Sequence, residues 1–145
     1  MNNRWTLKNK KALITGATRG IGKAITEEFL SLGAEVFIVS RNENDIKADL
    51  EKYTKEGHKA DGMKCDVTDA GDRKKLNGKI LEISDRLDIL VNNAGSNNRK
   101  STLENSEEDF DYISSLNMKS VFELCKIFHP MLKNSGSGSI VNIVS

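Results

Sequence analysis

The sequence predicts the α/β class, a doubly wound parallel sheet with helices on both faces, and three observations carry that prediction. Four short apolar runs and one weaker strand pattern alternate with stretches whose apolar residues recur at helical spacing. Parallel neighbours need right-handed crossovers that cover a sheet face, so the alternation itself implies helices on both sides. The unusual polar strings each fall just after an apolar run, at the carboxyl ends of the strands, where such sheets bind ligands.

The elements follow in order. Residues 1–10 form a polar lead-in, with Trp5 and Leu7 expected to pack against the domain's edge. Lys11-Ala12-Leu13-Ile14-Thr15 reads as a buried strand. Ile21, Ala24, Ile25, Phe29 and Leu32 then mark a helix from about Gly20 to Leu32, closed by Gly33 as a C-terminal cap. Glu35 to Ser40 is the second strand. Arg41-Asn42-Glu43-Asn44 is a polar break, Ile46, Leu50 and Tyr53 mark one face of a second helix, and Gly57 stops it. A weaker strand runs from His58 to Cys65. Asp66-Val67-Thr68-Asp69 turns into a third helix, capped by Thr68 or Asp69, with Leu76, Ile80 and Ile83 on its inner side. Leu87 to Val91 is the fourth strand, ending in Asn92-Asn93-Ala94-Gly95. After a polar loop over 96–105, Ser106-Glu107-Glu108-Asp109 opens one long helix with Phe110, Ile113, Val121, Leu124, Phe128 and Leu132 near a single stripe. Ser135-Gly136-Ser137-Gly138 is a turn, and Ser139 to Val144 is the fifth strand.

At 145 residues, 37% of them hydrophobic and 30% charged, the sequence accommodates one domain with a sizeable core and not two. A net charge of +1 gives no argument for nucleic acid or a membrane surface. The lead-in lacks the apolar region of a signal peptide, and no apolar run approaches the ~20 residues of a membrane span. Cys65 and Cys125 are isolated, as expected of reduced thiols in the cytoplasm. His58 and His129 have no partners at ligand spacing, so no metal site is assigned.

The most informative stretch is Thr15-Gly16-Ala17-Thr18-Arg19-Gly20-Ile21-Gly22, lying between the first strand and first helix. Gly16 lets the chain leave the strand in a tight turn. Gly20 removes a side chain where backbone N–H groups must approach a phosphate, and Gly22 lets the helix pack closely on the sheet. The helix start offers unpaired donors and roughly half a positive charge to an anion. The string Thr-Gly-x-x-x-Gly-Ile-Gly resembles the cofactor signature of the short-chain dehydrogenase/reductase family. The resemblance extends through Asp66-Val67, Asn92-Asn93-Ala94-Gly95, Asn117 and Ile140-Val141-Asn142-Ile143-Val144-Ser145, each after the appropriate element. Arg4-Trp5, Ser40-Arg41-Asn42 and His129-Pro130-Met131-Leu132-Lys133 are similar to its tropinone-reductase-like branch.

The resemblance implies a Rossmann-type sheet of five strands in order 3-2-1-4-5. It implies that Gly16, Thr18, Gly20, Ile21 and Gly22 hold a pyrophosphate. A carboxylate at the end of the second strand would bind a ribose 2′-hydroxyl, whereas this chain has Ser40-Arg41, with Arg19 in the glycine turn. Guanidinium forks suit phosphate oxygens. Basic residues at these positions imply NADP(H) in preference to NAD(H); read alone, Arg41 is also what a solvated residue after a strand looks like. Asp66 and the Val67 backbone are implied to hold adenine, although an Asp here also serves as a helix N-cap. Asn93, Ala94 and Gly95 are implied to line the cofactor's path, and as a bare loop they are ordinary turn residues. Asn117, a poor helix former, is implied to hold a water in a proton relay, its alternative being a polar group satisfied by solvent. Ser145 is implied to bond the substrate carbonyl, its alternative being a frayed terminal residue.

The family's Tyr-x-x-x-Lys acid/base pair is not among these 145 residues; Tyr53 and Tyr112 lack the lysine spacing. The expectation is therefore a single dinucleotide-binding domain over 1–145, the N-terminal part of a longer oxidoreductase acting on a small carbonyl or alcohol substrate. The polypeptide by itself is expected to be inactive or nearly so, a truncated NADP-binding module, and a homo-oligomer prone to associate through its unpaired fifth strand.

Overall fold

The computed structural model describes residues 5–144. Its five strands are β1 (Lys11–Thr15), β2 (Glu35–Ser40), β3 (Ala60–Lys64), β4 (Ile89–Asn92) and β5 (Ser139–Asn142). All pairings are parallel, in the order β3-β2-β1-β4-β5. The helices are α1 (Gly20–Ser31), α2 (Glu43–Lys55), α3 (Ala70–Ile83), α4 (Glu107–Ser114) and α5 (Ser120–Ser135).

Strand alternation sorts the core into two layers. Leu13 lies beside Phe37 on β2 and Leu90 on β4, and these three face α3 and α5 through Leu76, Ile80, Leu124 and Phe128. Ile14 lies beside Ile38 and Val91, and these face α1 and α2 through Leu30, Ile46 and Tyr53. Burial on both faces explains why these strands read as continuous apolar runs rather than alternating ones.

Each helix boundary has a local cause. Asn42 caps α2, its side chain accepting from the N–H groups of Asn44 and Asp45, so the helix begins inside the expected polar break. Asp69, not Thr68, caps α3. Ser106 and Asp109 form a capping box at α4. Gly136 ends α5 in the left-handed region, at φ +72°.

The structure corrects the expected single long helix. Between α4 and α5 the chain makes one wide π turn, Ser115–Lys119. The extra residue advances the helical phase by about 100° relative to an uninterrupted 3.6-residue period. Phe110 is therefore out of register with Leu124 and Phe128 and stands 69% exposed, while Leu116 and Met131 join the core. Ile83, the last residue of α3, is also exposed, as is Trp5; Leu7 packs from the lead-in, its N–H donating to the Leu32 carbonyl. The third and fifth strands are shorter than expected at both or one of their ends.

Candidate functional site

The carboxyl ends of the strands open into one crevice of about 1210 Å³. The order of the sheet reverses between β1 and β4, so the loops after these two strands diverge and leave the gap between them.

Thr15, the last residue of β1, ties the two loops together. Its buried hydroxyl accepts from the N–H groups of Asn93 at 3.0 Å and Ala94 at 2.9 Å. Asn93 answers with its side chain, whose Nδ2 donates to the carbonyls of Thr15 and Gly16, both at 3.1 Å. Beneath them Gly22 presses on this junction: a Cβ there would overlap the Gly16 carbonyl oxygen and Asn93 Nδ2. Asn92 braces the neighbouring strand, Nδ2 donating to Asn142 Oδ1 at 2.9 Å.

The start of α1 is built differently from the starts of α2, α3 and α4. Arg19 occupies the N-cap position in extended geometry and its side chain makes no cap bond, whereas Asn42, Asp69 and Ser106 all cap their helices. The first N–H groups of α1 are thus left to solvent or a ligand. Gly20 has φ +52°, and a Cβ added there would meet nothing within 4 Å, so the space over this turn is open. An anion fits here on both counts: unpaired donors and room to approach them.

Two guanidinium groups reach the same end of the crevice. Arg19 donates from Nε and Nη2 to Asp45 Oδ2, at 3.2 and 2.9 Å. Arg41 donates from Nη1 to the Tyr112 hydroxyl at 2.7 Å. Between them the Thr18 hydroxyl donates to Ser40 Oγ at 3.0 Å. Across the crevice Asp66 Oδ1 accepts from the N–H and hydroxyl of Thr68 at 2.9 and 2.7 Å, which makes an Asx turn of it rather than a helix cap. Burial of the neighbouring Cys65, together with Asp72 and Asp66, pushes its thiol up to about 12.

Asn117 sits in the π turn, where the widened backbone swings its amide toward the loop after β4. Its Oδ1 accepts from the Ser96 N–H at 3.0 Å and its Nδ2 donates to the Ser96 carbonyl at 2.8 Å. The amide is therefore satisfied by backbone and not only by solvent. It also lies against Gly95, where a Cβ would come within 2.9 Å of Asn117 Oδ1.

Gly16, Thr18, Arg19, Ile21, Ser40, Arg41, Asp66, Val67, Asn93, Ala94, Gly95 and Asn117 all line the one crevice. Gly20 and Gly22 do not form its wall; they shape the turn. Ser145 lies outside the described residues. Sequence reasoning missed Thr15, Asp45, Lys64 and Tyr112; of these, only Lys64, at the end of β3, and Asp45, in the first turn of α2, stand on the wall. Among the described residues no group of three or more His, Cys, Asp or Glu could hold a metal, and no helix is long and apolar enough to cross a membrane.

Residues 10–145 match the family model described as short chain dehydrogenase. The chain is 44% identical over 145 residues to a tropinone reductase homologue of Arabidopsis thaliana, covering 99% of this chain and 55% of that protein. It is 41% identical to a tropinone reductase homologue of Datura stramonium, covering 97% of this chain and 53% of the relative. Its fold is similar to a metagenomic short-chain oxidoreductase solved in complex with NADP, with TM-score 0.90 and 31% identity, covering 96% of this chain and 63% of that one. It is also similar to the Pseudomonas aeruginosa RhlG/NADP active-site complex, with TM-score 0.85 and 30% identity over 93% of this chain and 52% of that one. The chain spans about half the length of the curated relatives it matches.

Proposed function

The chain belongs to the short chain dehydrogenase family, and from that premise we propose that residues 1–145 are the single dinucleotide-binding domain of an NADP(H)-dependent oxidoreductase. The observation that carries this reading is the uncapped start of α1, open above Gly20 and flanked by Arg19 and Arg41, with no carboxylate at the end of β2. Two solved relatives whose descriptions name NADP support the same choice of cofactor over NAD(H).

When bound, the cofactor supplies hydride exchange with a ketone or secondary alcohol. The chain's own residues divide the remaining work. The N–H groups of Gly20 and Ile21 bind pyrophosphate oxygens, and Thr18, Arg19, Ser40 and Arg41 take the additional phosphate. Asp66 keeps Oδ2 free of the Asx turn and accepts from the adenine amino group, with the Val67 backbone beside it. Asn93, Ala94 and Gly95 present a wall without bulky side chains, against which a flat ring can lie. Asn117 fixes the backbone at Ser96 and offers its amide to a water on the proton path; Ser145 binds the substrate oxygen. The two free cysteines support a reducing, cytoplasmic setting, and exposed Phe110, Met118 and Phe122 on α4, the π turn and α5 support a homo-oligomer.

A second reading, a module that binds cofactor without turnover, is favoured by the fate of the two tyrosines. Neither Tyr53 nor Tyr112 is followed by lysine four positions on, Tyr53 is buried, and the Tyr112 hydroxyl is engaged by Arg41. That chemistry needs a tyrosine placed to exchange the alcohol proton. Titrating the purified protein with NADPH and NADH, then assaying ketone reduction, separates the readings. Tighter NADPH binding with turnover supports the enzyme, and tighter NADPH binding without turnover the module. Equal or tighter NADH binding overturns the assignment of NADP.

A further inference from the structure

Arg19 and Arg41 reach the same end of the crevice but are held by chemically different partners. Arg19 spends two of its donors, including one end of its fork, on the carboxylate of Asp45, so its charge is already compensated. Arg41 is held through one nitrogen by a neutral hydroxyl, that of Tyr112 at 2.7 Å, and has no carboxylate partner among the described residues. It keeps its full charge and its remaining N–H donors. The contact joins α4 to the end of β2 across 71 residues of sequence, so it is a tertiary tether and not a local turn.

We propose that Tyr112 is a positioning residue for cofactor specificity, holding Arg41 over the crevice so that its free donors meet the 2′-phosphate. The inference rests on the NADP(H) reading above. A free arginine side chain samples many rotamers, and fixing it on ligand binding costs entropy; one hydrogen bond made in advance removes part of that cost. The hydroxyl suits the task because it accepts from the guanidinium without neutralising it. A carboxylate in its place would compete with the phosphate, as Asp45 does at Arg19. Arg41 is thereby assigned the larger share of discrimination between the two dinucleotides, and Arg19 the smaller.

The test compares dissociation constants of NADPH, NADH, 2′,5′-ADP and 5′-AMP for the protein and for Tyr112→Phe, Arg41→Ala and the double variant. Tyr112→Phe keeps the ring and its packing while removing the acceptor. The expected result is about threefold to tenfold weaker binding of NADPH and 2′,5′-ADP, unchanged binding of NADH and 5′-AMP, and no further loss when Tyr112→Phe is added to Arg41→Ala. Equal weakening of all four ligands would make Tyr112 merely structural and overturn the proposal. So would tighter NADPH binding, which would make Tyr112 a competitor of the phosphate. Unchanged NADPH binding in Tyr112→Phe with a loss in Arg41→Ala overturns the proposal and leaves the NADP(H) reading standing. Unchanged NADPH binding in Arg41→Ala removes both.

Discussion

Asn93 donates twice to Thr15, from its N–H to the hydroxyl at 3.0 Å and from its Nδ2 to the carbonyl at 3.1 Å. The two residues close the floor of the crevice by binding the loop after β4 to the end of β1. Thr15→Val keeps the shape of the side chain and leaves the N–H groups of Asn93 and Ala94 without their shared acceptor. Stability falls by about 1–3 kcal/mol, read as a shift in the urea midpoint without a change in slope. A variant as stable as the parent would show that water replaces the hydroxyl.

The glycines of the turn differ in what they forbid. Gly22→Ala forces a Cβ onto the Gly16 carbonyl and Asn93 Nδ2, neither of which can move without opening the β1–β4 junction. The loss is about 3 kcal/mol, the upper end for overpacking against backbone. Gly20→Ala meets open space and bears only the strain of φ +52°, about 1 kcal/mol. Thermal or urea unfolding of the pair tests this; equal losses would contradict the close approach of Gly22 to the β1–β4 junction.

Asn117→Ala removes both bonds that hold Ser96. The loop after β4 loosens before the fold does, so hydrogen exchange at the Ser96 amide quickens by tenfold or more, about 1.4 kcal/mol of local protection. Exchange in β1 stays as it was. Unaltered exchange at Ser96 would mean that the loop is held by other contacts.

At the opposite end of the sheet, Asp88 accepts from the Lys11 N–H at 2.8 Å and the Ser135 hydroxyl at 2.6 Å. Burial alone would raise its carboxyl. The bonds from Ser135 and the Lys11 N–H, with Arg86 and Lys10 nearby, outweigh that and hold it below the usual range. A carboxyl lowered in the folded state stabilises above its unfolded value, near pH ~4, and that contribution is lost as pH falls through the folded value. Asp88→Asn therefore costs about 2 kcal/mol at neutral pH and flattens the acid limb of the stability profile. Parallel acid limbs in parent and variant would rule out Asp88 as its source.

The sequence makes legible whatever is decided locally. Strands buried on both faces announce themselves as apolar runs, and the glycine turn is legible from its spacing between strand and helix, although the room that Gly22 needs beside Asn93 is not. The crevice follows from these, because the chain order of the strands determines which loops meet. Contacts between distant segments are not legible: nothing in the string ties Arg41 to Tyr112, 71 residues on, or Arg19 to Asp45, 26 residues on. The π turn escapes for another reason. Asn117 is a visible oddity in a helix, but one inserted residue changes the phase of everything before it, so Phe110 reads as core when it is surface.

The bare start of α1 has a consequence for anyone seeking a hardier variant. Arg19 has the extended backbone of an N-cap, so an Asp or Ser at this position would satisfy the idle donors and raise the melting temperature of the free protein, by about 1 kcal/mol of stability. A heat-selected library would enrich that change, and the survivors would have filled the seat proposed for the dinucleotide with one of their own side chains.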